Sequence, residues 1–334
     1  MADVNSPLGR GRASEDEDRA QIILITGLTL AVLFVAVVLL LNTVIYTQNL
    51  ATRGADAGGA EAIEFREGVV DDLAGIMYRE HRNRSSPDGV VDDFAASAAT
   101  YARTVGDLRA RDGVIADVSV NRSTVETGYF VAQNESDTGF RNMTSPGGSA
   151  ADWTVAGNAT RTRNYRLTVA PGSLSDSGGG AFTVVADGTT GGTNATWSAA
   201  LWRATGDNLT VAVERETPNG TNAASETFAP RPDGNHTVDF TDGTVNGEPF
   251  DALVWAEGVQ TGTDPYDVRY ENGDEARGTY HLVVDDRDDG ANPGRGSRPY
   301  VVEGIYSVEV EVLHRTPELT YRDVVRLAPG ERDA

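Results

Sequence analysis

The chain has 334 residues with 28 arginines, no lysine, 50 aspartates and glutamates, four histidines and no cysteine, for a formal net charge of -22. That balance excludes a nucleic-acid partner, because phosphate contact needs basic surface and counterion release. The missing cysteines exclude disulfides, thiolate metal ligands and a thiol nucleophile, and the missing lysine excludes a Gly-x4-Gly-Lys phosphate loop.

The first 20 residues read as a charged cytoplasmic leader. From Ala20 to Thr52 there follow 33 residues without one charge. As a helix, Ile22 to Leu41 would rise about 30 Å at 1.5 Å per residue, the thickness of a hydrocarbon core. Thr26, Gly27 and Thr29 are its only weakly apolar members, and a threonine hydroxyl can bond back to its own helix. Asn42, Thr43, Tyr46 and Gln48 suit the headgroup layer, so a transmembrane helix is predicted over residues 21–46. A cleaved secretory signal would have an apolar region of only about 7–15 residues. The nearest small-x-small triplet, Ala55-Asp56-Ala57, lies well past the run.

Residues 47–113 read as a helical stalk. "ATRGADAGGAEA" is a small-residue joint, after which Ile63, Val70, Leu73 and Met77 fall on one helical face. "SSPDG" stops that helix and restarts another, with Ser86 as N-cap and Pro87 at the first helical position. The second helix carries Val91, Phe94, Ala98, Tyr101, Val105 and Leu108 at 3-4 spacing and closes at Gly113. Fewer than three heptads is short for a coiled coil, so the stripe is expected to pack on the neighbouring helix or domain.

From Val114 to the end the period changes. Short Thr-, Val- and aromatic-rich runs such as "VIADVSV", "TGYFVAQ", "NYRLTVA", "AFTVVAD", "DALVWAE" and "SVEVEV" alternate with Gly, Asn, Asp and Pro, as in an all-β sandwich. "SDSGGG" and "DGTTGGTNAT" read as flexible or turn-rich connections. The fold class is therefore α+β: an N-terminal transmembrane helix, a short helical segment and a β-rich, sandwich-like extracellular domain over residues 114–334.

Asn-x-Ser/Thr occurs at Asn83, Asn121, Asn134, Asn142, Asn158, Asn194, Asn208, Asn219 and Asn235, and nowhere before the apolar run. Chance spacing gives about two such triplets, so the excess needs a cause. Turn-forming Asn followed by strand-forming Thr supplies part of it. An outward-facing, N-glycosylated domain supplies the rest, which puts the C-terminal side outside the cell.

No catalytic constellation stands out. His81, His236, His281 and His314 are scattered without i, i+4 pairing, and no Gly-x-Ser-x-Gly elbow occurs. "DDRDDG", Asp285 to Gly290, is the best cation-loop candidate, but Arg287 stands at a ligand position and no Glu closes the loop. It reads as a solvated acidic turn. No cofactor is expected.

The lysine-free acidic composition resembles that of proteins from extremely halophilic archaea. The segment "DRAQIILITGLTLAVLFVAVVLLLNTVIYTQNLATR" resembles an uncharacterised family of haloarchaeal single-pass membrane proteins and, more distantly, archaeal type IV pilin-like proteins. In the latter a charged leader ends in a basic plus a small residue just before the apolar helix. Arg19, Ala20 and Gln21 match that processing pattern, which implies cleavage after Ala20. The match departs at Ile25, where many pilins carry Glu, and in the size of the following domain. A plain signal anchor remains the alternative at this position. The expected partners are the lipid bilayer and copies of the chain or other subunits of a surface assembly; a stand-alone tethered adhesion module is the rival role.

Overall fold

The computed structural model describes residues 11–83, 87–136, 139–190, 192–218, 220–260, 264–288 and 297–331, without the side chains of 11–23, 41–58, 87–88 and 190. The chain divides into two units, residues 1–63 with 317–319 and residues 64–316 with 320–334.

Helix α1 is assigned over Gly11–Asn83 and α2 over Pro87–Ala110. The small-residue stretch read as a joint is helical, because Ala carries the best helix propensity and single glycines cost only about 1 kcal/mol each. In the first unit, every side chain from Leu24 to Leu40 is exposed, including Leu33 at 57% and Phe34 at 63%. The Thr29 hydroxyl donates to the Ile25 carbonyl at 2.8 Å, so it satisfies itself within the helix. Among the described residues no helix is long and apolar enough to cross a membrane. Ile22, Ile23 and Leu41, which extend the apolar run in the sequence, lie outside the described side chains.

The second unit is β-rich. Its strands are β1 (Ile115–Gln133), β2 (Arg141–Asn142), β3 (Trp153–Ala159), β4 (Thr162–Val169), β5 (Phe182–Thr190), β6 (Thr193–Arg203), β7 (Leu209–Thr217) and β8 (Gly220–Phe228). They continue with β9 (His236–Asp239), β10 (Thr244–Val245), β11 (Glu248–Pro249), β12 (Tyr266–Glu271), β13 (Arg277–Val284), β14 (Tyr300–Arg315) and β15 (Thr320–Leu327). One sheet runs β11-β10-β9-β4-β13-β1-β14-β15, with β2 added to β13; the other runs β3-β12-β5-β6-β7-β8. All strand pairs are antiparallel.

Alternating inward residues of the two sheets, among them Tyr165, Leu167, Val184, Trp197, Val211, Val268 and Leu282, form the larger core. The other face of the nine-stranded sheet is covered by helix. Phe65, Val69, Leu73 and Met77 of α1 and Val90, Phe94 and Ala98 of α2 pack with Val118, Val308, Val310 and Val312. The helix pair expected as a stalk thus serves, from residue 64 on, as a layer of the β-rich unit. Its stripe buries against the sheet, leaving Leu108 at 56% exposure. The valines of "SVEVEV" are the dry face and its glutamates the half-exposed one.

Helix α2 closes as the sequence predicts. Gly113 at φ +77° donates to the Ala110 carbonyl and Val114 to that of Arg109, the paired bonds of a Schellman cap. Other expectations need correction. "VIADVSV" and "TGYFVAQ" are two halves of β1, joined through a bulge between Asn121 and Thr127. "DALVWAE" is no strand: it turns through Ala256 at φ +48° while burying Leu253 and Trp255. "DGTTGGTNAT" is a tight hairpin in which Thr190 faces Thr193.

Candidate functional site

Among the predicted sequons, Asn83, Asn121, Asn158 and Asn194 are exposed and Asn134, Asn142, Asn208 and Asn235 half-buried; Asn219 lies outside the described residues. Each described asparagine belongs to the second unit; Asn83 is the last residue of α1, and the others sit in or beside a turn, strand end or bulge. Asn121 marks the start of the β1 bulge, where its Oδ1 accepts from the Ser123 amide at 3.2 Å and hydroxyl at 2.7 Å. The sequon hydroxyls also have structural partners. Thr210 pairs with Thr227 at 2.8 Å and Thr237 with Thr168 at 3.1 Å across neighbouring strands. Three asparagine amides are committed to side-chain neighbours. Asn134 Oδ1 accepts from Arg82 at 3.0 Å, Asn142 Oδ1 from Arg277 at 2.9 Å, and Asn158 Nδ2 donates to Asp286 at 3.3 Å.

The side chains of Arg19, Ala20 and Gln21 are outside the description, as are Asp289 and Gly290 of the acidic turn. Asp285 is not a solvated turn residue. Its carboxylate accepts the amides of Thr160, Arg161 and Asp286, the Thr160 hydroxyl and the Arg161 Nε. Burial pushes this carboxyl up, and the bonds from Thr160 and Arg161 more than offset that, holding it below its ordinary value. With the lone pairs so occupied, little is left for a cation. Among the described residues no group of His, Asp and Glu could hold a metal ion.

The histidines occupy three places, because His81 and His281 both stack on Phe130, with ring centroids 5.5 and 6.1 Å from it. His81 Nε2 accepts the Ile305 amide at 3.0 Å, and a Cβ on Gly304 would come within 2.7 Å of that ring. The glycine therefore admits the imidazole between α1 and β14. His236 lies between the Asp207 carbonyl at 2.8 Å and Asn246 Nδ2 at 3.0 Å. His314 packs beside Phe65. His281 lies against Tyr78 and Phe130, where burial, with Arg166 and Arg82 nearby, pushes its imidazole down to about 4.

The densest polar assembly was not legible in the sequence. Around the Tyr306 ring stand Arg161, Arg163 and Arg326, with guanidinium carbons 4.6, 5.4 and 6.0 Å from its centroid. Glu126 accepts from Ser307 at 2.6 Å, Arg326 at 3.1 Å and Arg161 at 3.3 Å. The Ser307 bond leads the arginines in holding this carboxyl below its ordinary value. Glu331 takes the Tyr306 hydroxyl at 2.9 Å and Arg326. Arg163, fully buried, spends its fork on the carbonyls of Ile305 at 2.8 Å, Tyr306 at 2.7 Å and Pro329 at 3.0 Å. Burial pushes it down to about 10, still far above neutral pH. Here donors and acceptors satisfy one another, and no nucleophile faces a free base. The arrangement ties β1, β4, β14 and β15 together.

No curated protein and no solved structure matches the chain. The model of a family of unknown function (DUF7261) matches residues 16–153, a span running from within α1 across α2, β1 and β2 to the first residue of β3.

Proposed function

We propose that the chain is a single-pass, membrane-anchored cell-surface protein, with a cytoplasmic N-terminus and its β-rich unit outside. The observation that carries this reading is the exposure of every side chain from residue 24 to 40, nearly all of them apolar, which water does not tolerate over such a length. The sequons support the same sidedness, since none of the described asparagines in them is buried. The expected result is recovery of the full-length chain in the membrane fraction, with the β-rich unit digested by protease added to whole cells. A chain that stays in solution without detergent overturns the reading.

Within it, the role is that of a pilin-like or structural subunit of a surface assembly, supported by Arg19, Ala20 and Gln21 ahead of the apolar run. An apolar helix freed of its charged leader can leave the bilayer and pack against copies of itself. N-terminal sequencing of the membrane-extracted protein should begin at Gln21; a start at Met1 or Ala2 leaves the stand-alone tethered binding module, which a large polar groove favours. The acidic, lysine-free composition suits a haloarchaeal setting of molar salt. Circular dichroism should lose its β signal in dilute buffer.

A further inference from the structure

A groove of about 970 Å³ lies where β2 joins the start of β13. Arg141, Arg277 and Arg298 line it together with Phe140, Gln133 and Asn142, and among the described residues that line it there is no aspartate or glutamate. In a chain where carboxylates outnumber guanidiniums 50 to 28, that composition runs against the average. Several arginines elsewhere are matched to carboxylates, as Arg166 is to Asp239 at 2.7 Å and Arg269 to Asp187 at 3.2 Å. The Arg141 side chain has no hydrogen bond or ion pair among the described residues, and Arg277 gives its Nε to the neutral Oδ1 of Asn142. The groove is firmly built beneath them. Buried Gln133 donates to the carbonyls of Asn142 at 3.0 Å and Gly278 at 3.3 Å, which fixes β2 on β13.

We infer that this groove binds a glycan bearing carboxylate or sulfate groups. Planar guanidiniums take such anions through paired hydrogen bonds, and salt screens a close bidentate contact less than a distant charge. The amide and hydroxyl groups of the lining suit a hydroxyl-rich ligand, and Phe140 supplies apolar surface for a sugar ring. The volume falls at the upper end of ordinary ligand sites, roughly 300–1,000 Å³. Two sources share this chemistry: a glycan on Asn142 itself, whose sequon partner Thr144 also lines the groove, or an acidic polysaccharide from outside.

The test uses the full chain in detergent and molar salt, with dextran sulfate oligosaccharides as probe and neutral dextran and single-stranded DNA as comparisons. Native protein or the Thr144→Ala variant should bind dextran sulfate, and not the other two. Arg141→Gln with Arg277→Gln should weaken binding at least tenfold, while Arg231→Gln with Arg315→Gln, exposed arginines away from the groove, should not. Circular dichroism of both double variants establishes that they fold. Binding gained only on Thr144→Ala assigns the groove to the chain's own glycan; equal binding by both assigns it to an external one. No binding by either, equal binding of dextran or DNA, or indifference to the groove arginines overturns the inference. Membrane fractionation and protease accessibility are separate readouts, so this site can fail while the surface location stands.

Discussion

Two lengths of α1 obey the same backbone geometry and opposite side-chain rules. Between residues 24 and 40 every side chain is exposed and nearly all are apolar, with no polar face opposite. Between residues 64 and 83, Phe65, Val69, Leu73 and Met77 recur every four residues and are buried, while Glu67, Asp71, Asp72, Arg79 and Arg82 are exposed. A helix that hides one stripe is matched to a protein surface; one that is apolar all round is matched to a medium. The pattern of a helix therefore reports on its surroundings as much as on its conformation.

The sharpest way to break this comparison is to truncate one leucine in each length. Leu73→Ala removes a fully buried side chain and should lower stability by about 2–5 kcal/mol in denaturant titration of the detergent-extracted protein. Leu33→Ala, at 57% exposure, should leave that titration unchanged within about 0.5 kcal/mol. Equal losses would mean that the two lengths share one kind of environment.

Acid should separate them next. An unfolded histidine titrates near pH 6.5. His281 titrates at about 4 in the fold. The unfolded chain therefore binds the proton first, and the stabilisation is complete above the unfolded value. It is lost as pH falls from about 6.5 to 4, by about 3 kcal/mol. His236, also lowered chiefly by burial, acts in the same direction. Residues 24–40 carry no titratable group, so near-ultraviolet and β signals should fade over that window while helical dichroism persists.

Arg163→Lys should cost about 1–3 kcal/mol, because an ammonium cannot span the Ile305, Tyr306 and Pro329 carbonyls together. Retained thermal stability would show that burial, rather than fork geometry, fixes this residue. The smallest effect is expected at the sequons. Asn121→Gln should remove one glycan mass with no more than about 0.5 kcal/mol change in stability. Asn142 and Asn134, whose oxygens hold arginines, should be the least occupied in glycopeptide mass spectrometry.

Much of the architecture is local and could be read directly. Pro87 and Gly113 bracket α2, and its 3-4 stripe and the alternation of "SVEVEV" announce the faces that meet. Strand β8 went unread because "GTNAASETF" is exposed on both faces until Phe228, which erases the period of two. Strand β12 is also missing from the predicted runs, although Tyr266, Val268 and Tyr270 alternate with half-exposed residues. "DALVWAE" has strand composition, yet its apolar residues fill the core from a turn. The Tyr306 assembly could not be foreseen, since Glu126 and Ser307 are 181 residues apart and Arg161 and Asp285 124. In so acidic a chain any arginine has many candidate partners, and only the sheet order selects among them.

The irregularity in β1 acts as a counting device. Asn121 faces Glu309 and Thr127 faces Ile305, so six steps along one strand match four along the other. Both numbers are even, and so Val118 before the offset and Phe130 after it point toward the same helical layer. Deleting one residue from 122–125 would swap Phe130 with its neighbours Tyr129 and Val131, turning the distal half of the strand inside out; deleting two would preserve its sidedness.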